Sequence, residues 1–121
     1  MEFLDDNKKE KLDKFARFVK KELDIEHVPT IAIQSSRGNL KTTANYDYGN
    51  ENKVIKIFGG NRMVVDIMRS LAHEMVHHKQ FEQGRLKVKP PDIGGEIEDE
   101  ANAKAGQFIK MFGKTDPTIY E

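Results

Sequence analysis

The chain has 121 residues, with 20 basic and 20 acidic side chains, no cysteine, no tryptophan and four histidines. That length suits one domain, expected over residues 1–121, with room for a real core and too little for two. A formal net charge of zero argues against a nucleic-acid binder that works by bulk positive charge. The missing cysteines exclude disulfides, thiolate zinc sites, iron–sulfur clusters and cysteine nucleophiles together.

Met1 to Lys11 is charged rather than apolar, so no secretory signal is expected. No stretch approaches the ~18 apolar residues of a membrane-spanning helix. A cytoplasmic setting follows as the expectation, with neither nucleic acid nor membrane as partner.

The first helix is predicted over about Asp5–Asp24. Leu12, Phe15, Ala16, Val19 and Leu23 recur at three- and four-residue spacing and make one apolar stripe. Three strands follow. Thr30–Ser35 alternates around Ile31 and Ile33. Leu40–Tyr48 sets Leu40, Thr42, Ala44, Tyr46 and Tyr48 on one side and Lys41, Thr43, Asn45 and Asp47 on the other. Lys53–Phe58 is rich in β-branched residues. Turn chemistry at Ser36-Arg37-Gly38-Asn39 and Gly49-Asn50-Glu51-Asn52 separates them, and such short connections favour an antiparallel meander. Gly59-Gly60-Asn61 ends the sheet, and Asn61 can cap a second helix that runs to about Gln83, where Gly84 stops it. A loop with Pro90, Pro91, Gly94 and Gly95 leads to a last helix over about Glu96–Phe112. The fold class is α+β: a helix, a three-stranded antiparallel sheet, then two helices.

The second helix contains His73-Glu74-Met75-Val76-His77, an H-E-x-x-H run. Four residues on a helix is about 400°, so His73 and His77 lie one turn apart on one face and can converge on a cation. Glu74 sits about 100° around, placed to take a proton from water rather than to ligate. Composition alone gives about 0.01 such runs by chance in a chain of this make-up. Val64, Met68, Leu71, Ala72 and Met75 mark the buried side. His73 and His77 fall opposite, with Asp66, Ser70 and Gln80, on a stripe that in most helices simply faces solvent.

Zinc needs a third protein ligand and an open fourth position. The longer H-E-x-x-H-x-x-G-x-x-H pattern fails, because Gln80 stands at the glycine position and Gln83 at the third histidine. The ligand is therefore sought in the acidic run after Gly95. On the last helix Ile97, Ala101, Ala105, Phe108, Ile109 and Phe112 define the inward face. Glu98 lies within about 50° of its centre, whereas Glu96, Asp99 and Glu100 lie more than about 110° away. A buried, unpaired carboxylate costs several kcal/mol, so Glu98 is expected to meet a cation there. Glu100 is the substitute. Asn102 shares the face of Glu98 and is placed to hold a ligand histidine by its second ring nitrogen.

His73-Glu74-x-x-His77 followed about twenty residues on by Glu98-Asp99-Glu100-Ala101-Asn102 resembles a minimal gluzincin metallopeptidase, of the ImmA/IrrE-like or phage-encoded zincin kind. The resemblance covers roughly residues 40–113 and is carried by the two motifs. It implies a small zincin-like domain with a twisted antiparallel sheet, an active-site helix and a ligand-bearing helix behind it. It implies one zinc ion on His73, His77 and Glu98, with Glu74 as general base. It also implies a peptide or protein substrate added as a strand to a sheet edge near Thr43-Ala44-Asn45, and a setting in host cytoplasm or virion if phage-encoded. Larger gluzincins carry a further histidine or tyrosine at the tetrahedral intermediate, for which Tyr46, Tyr48, His78 and Tyr120 are the choices here. His78 reads as a packed or supporting histidine and His27 as a surface one.

The expected activity is peptide-bond hydrolysis by a metal-activated water. The alternative is a catalytically silent zincin-fold module for binding or virion assembly, although an intact Glu74 speaks against it. Deformylases also use H-E-x-x-H, but with a cysteine ligand that this chain lacks.

Overall fold

The helices and strands form where apolar periodicity and turn chemistry place them, and one helix, the second, becomes the centre of the packing. The structure is a computed structural model that describes residues 6–34, 44–47, 53–60, 62–85 and 95–120. The element order is α1 (Asp6–Leu23), β1 (Thr30–Gln34), β2 (Ala44–Asp47), β3 (Val54–Phe58), α2 (Val64–Glu82), α3 (Gly95–Thr115) and a short 3-10 turn, η1 (Pro117–Tyr120).

In α1 the predicted stripe is the buried one: Leu12, Phe15, Val19 and Leu23 face the core. The helix stops at Asp24, which takes a left-handed φ of 54°. The Asp24 and Ile25 N–H groups then return to the Lys21 and Lys20 carbonyls at 3.2 and 3.1 Å. That is a Schellman ending, with buried Ile25 just beyond it. The same ending closes α2. Gly84 has φ 76°, its N–H donates to the Phe81 carbonyl at 2.9 Å, and Arg85 N–H donates to the Gln80 carbonyl at 2.9 Å.

The sheet corrects the antiparallel expectation. Its order is β1-β3-β2, and it is mixed: β1 pairs with β3 in parallel, Ile31 opposite Ile55 and Ile33 opposite Ile57. Only β2 pairs with β3 antiparallel, Tyr46 opposite Ile55 and Ala44 opposite Ile57. β1 and β2 do run in opposite directions, as the turn residues required, but they are not neighbours. The reason lies in burial. β3, with Ile55 and Ile57 fully buried, is the most apolar strand and takes the central place between them.

One face of the sheet carries Ile31, Ile33, Ala44, Tyr46, Ile55 and Ile57 toward the core, and β2 and β3 lie against α2. α2 also packs on α1 and α3 and under η1. It begins at Val64 with Met63 as N-cap and no side-chain cap; the Arg62 guanidinium instead donates to the Phe58 and Asp66 carbonyls and to Ser70 Oγ. α3 runs a turn past the expected Phe112, and η1 was not foreseen. η1 puts Ile119 fully into the core, and Asp116 accepts the Thr118 N–H and hydroxyl at its start. The turn segments 36–39 and 49–52, Thr43, Tyr48, the Asn61 cap and the loop containing Pro90, Pro91 and Gly94 lie outside the described residues. None of the described helices is long and apolar enough to cross a membrane.

Candidate metal centre

Toward its C-terminal end, from His73 to Gln80, the polar stripe of α2 is covered rather than open to solvent. α3 lies across it, and His77, Glu74 and Gln80 are all buried. His73 is only partly covered. Burying so many polar groups is costly unless each is partnered. Among the described residues, no buried side-chain nitrogen or oxygen lacks a hydrogen-bond partner.

The stripe meets the first turn of α3 at Glu98. His77 Nε2 lies 3.0 Å from Glu98 Oε2, His73 Nε2 lies 3.2 Å from the same oxygen, and the two Nε2 atoms lie 3.1 Å apart. The two rings stand edge to face at 87°. Helix geometry brings His73 and His77 together, and the crossing of α3 over α2 brings Glu98. The donor set is two imidazole nitrogens and one carboxylate oxygen, converging from one side. Ligand atoms about 2.0–2.1 Å from a tetrahedral zinc stand about 3.3–3.4 Å from each other, so the observed triangle is of the right size and slightly contracted. Three ligands from one side also leave a fourth position open. His73, His77 and Glu98 are therefore brought together, and they form a group able to hold a metal ion.

Glu74 is buried beside this group. Burial, reinforced by the Glu98 charge, pushes its carboxyl up to about 8. Burial, with His77 adding to it, lowers the pKa of His73 against the opposing pull of Glu98 and a hydrogen-bonding influence from Asn102. His73 therefore stays neutral near pH 7, as a metal ligand must. Asn102 is exposed, and its hydrogen-bonding influence falls on His73.

Glu100, the substitute ligand, is turned elsewhere. Its Oε1 accepts hydrogen bonds from Gln80 Nε2 at 2.7 Å and Arg85 Nη1 at 2.7 Å, and Lys104 stands 3.8 Å from Oε2. The Gln80 hydrogen bond is the chief cause holding Glu100 below the ordinary glutamate value, against partial burial, with Arg85 and Lys104 adding to it.

The histidine and tyrosines proposed for the intermediate are placed as follows. Tyr46 OH donates to His78 Nδ1 at 2.5 Å, and His78 Nε2 donates to the His27 carbonyl at 2.6 Å. His78 is buried, His27 is exposed, and Glu82 closes the group by accepting the His27 N–H at 3.2 Å. Tyr46 and His78 thus tie β2, α2 and the α1–β1 connection together. Tyr120 lies against Gly113, fifteen residues along α3 from Glu98, or about 22 Å at 1.5 Å per residue.

The residue that the sequence passed over is Gln80. The sequence places it on the polar stripe with His73 and His77 and at the failed glycine position, without a role, yet it is buried between His77, Ile97 and Glu100. Its position three residues after His77, on the same face, was the signal.

Comparison with models of known families, with curated proteins and with solved structures finds no match for this chain.

Proposed function

We propose that this protein is a zinc-dependent peptidase of the gluzincin kind, built on a small zincin-like domain. The observation that carries the reading is the convergence of His73 Nε2, His77 Nε2 and Glu98 Oε2 to within 3.2 Å of one another, with Glu74 buried next to them. A zinc ion held by His73, His77 and Glu98 would supply Lewis acidity at the scissile carbonyl and bring the pKa of a water toward neutrality.

The rest is the work of the chain itself. Glu74 takes a proton from the attacking water and passes it to the departing amine as the C–N bond breaks, leaving a carboxylate and an amine. His73 and His77 keep a fixed spacing because one helix carries both. Glu98 supplies the negative charge that two neutral imidazoles lack. An extended peptide is the substrate class that fits, since β2 stands at an edge of the sheet and α2 packs against it. Strand addition there gives main-chain hydrogen bonds that do not depend on side chains.

The test is zinc-loaded protein against a peptide library. Glu74→Gln is expected to keep stoichiometric zinc and to lose hydrolysis by about a hundredfold or more. Equal cleavage by wild type and variant would overturn the proposal. So would zinc-loaded wild type that cleaves nothing, a result that would favour a silent binding or assembly module.

A further inference from the structure

Gln80 sits at the join between the two helices that carry the metal ligands, and its hydrogen bonds determine how its amide is turned. Gln80 Nε2 is 3.1 Å from the Ile97 carbonyl, which can only accept, and 2.7 Å from Glu100 Oε1. The amide nitrogen must therefore point at α3. That leaves Gln80 Oε1 facing His77 Nδ1 at 2.8 Å, and a carbonyl oxygen there requires Nδ1 to carry a proton. A neutral His77 then has its lone pair on Nε2, the atom that faces His73 and Glu98.

We propose that Gln80 is a positioning residue of the metal centre, which locks the His77 ring in the tautomer that offers Nε2 to a cation and joins it to the backbone immediately before Glu98. This rests on the metal-site reading above and adds to it. One buried side chain sets the protonation of a ligand on α2 and the placement of the ligand-bearing turn of α3. Glu100 and Arg85 complete the support. Arg85 is delivered by the left-handed turn at Gly84, and it holds the same Glu100 oxygen that receives Gln80. Outer hydrogen bonds of this kind raise ligand basicity and fix ring orientation, and losing one costs about 10- to 100-fold in metal affinity.

Two readouts test this. In metal-free protein carrying Glu98→Ala, where no carboxylate competes for a proton on Nε2, ring nitrogen–proton correlation spectra should show His77 with its proton on Nδ1, and adding Gln80→Leu should move it to Nε2. Zinc affinity, measured by competition with a chromophoric chelator, should fall about 10- to 100-fold in Gln80→Leu. The single exchange Gln80→Glu keeps an acceptor at His77 Nδ1 and gives up the donor to the Ile97 carbonyl. It should keep the Nδ1 proton and bind zinc about tenfold more tightly than Gln80→Leu. A merely structural role for Gln80 would predict neither the tautomer change nor that difference. The inference is overturned if Gln80→Leu leaves the tautomer and the zinc affinity unchanged, or if Gln80→Glu folds and carries the His77 proton on Nε2. Should Gln80→Leu fail to fold, Gln80→Glu decides alone, by its tautomer. Wild-type protein that takes up no zinc would overturn the metal-site reading, while the tautomer measurement would still decide the role of Gln80.

Discussion

Glu74 is the residue on which stability and chemistry pull apart. Unfolded, its carboxyl ionises near 4.5; folded and metal-free, it is pushed up to about 8. Between those values the folded state holds a proton that the unfolded state has released, so stability falls as pH rises. Metal-free protein is therefore expected to be more stable at pH 5 than at pH 8, by an amount on the order of a few kcal/mol. Glu74→Gln should flatten that dependence and raise the stability at pH 8, measured by urea unfolding in the presence of a chelator. Glu98 and Glu100 separate in the same manner. Glu98→Ala removes a donor atom and should weaken zinc by well over a hundredfold. Glu100→Ala touches the site only through Gln80 and should cost about tenfold at most, read in the same chelator competition. The two histidines and Glu98 were readable from spacing and the helical wheel, because local helix geometry alone brings the histidines together. Gln80 was not, because its importance depends on α3 covering a face that most helices leave wet.

At the scale of elements, α1 and α2 end in the same left-handed turn, one with Asp24 and one with Gly84. Glycine carries no penalty there, whereas a β-carbon does. Among the described residues nothing lies within 4 Å of where a Gly84 side chain would begin, so the cost of a substitution there is conformational rather than steric. Gly84→Ala should cost about 1 kcal/mol in chemical unfolding, and Gly84→Asn less, since asparagine tolerates this region. The stop at Gly84 was legible because glycine marks it. The order of the sheet was not. Turn residues report that the chain reverses, and β1 and β2 do run oppositely. They do not report which strand slides between, a choice made by the burial of Ile55 and Ile57 in β3. η1 was hidden for a related reason. A lone Ile119 after a helix has no periodicity to announce it, and its burial depends on where α2 and α3 leave a gap.

For the whole molecule, the position of α2 matters most, since it touches α1, α3, β2, β3 and η1. A site built on the best-packed helix is held in place before any ligand arrives, so ordering the site takes little of the binding free energy. Zinc should then act as a ligand of the folded state alone. At free zinc a hundredfold above its dissociation constant the gain is about 2.7 kcal/mol, or roughly a 10 °C rise in Tm for a chain of this length. Differential scanning calorimetry with and without EDTA measures it, and Glu98→Ala should remove most of the rise.

A chain without cysteine has no covalent means of fastening one helix to another. His73 and His77 need no fastening, because a single helix spaces them. Glu98 is different, since it lies 21 positions from His77 on a separate helix. A cation gripping both would join the two helices across a stretch of the length that a structural disulfide commonly closes, but only in the folded chain, so its contribution is set by the free metal concentration against the dissociation constant rather than by any restriction of the unfolded chain. Such a clasp yields to chelators rather than to reductants, so how firmly the first turn of α3 is held against α2 would follow the free metal concentration and not the redox state around it.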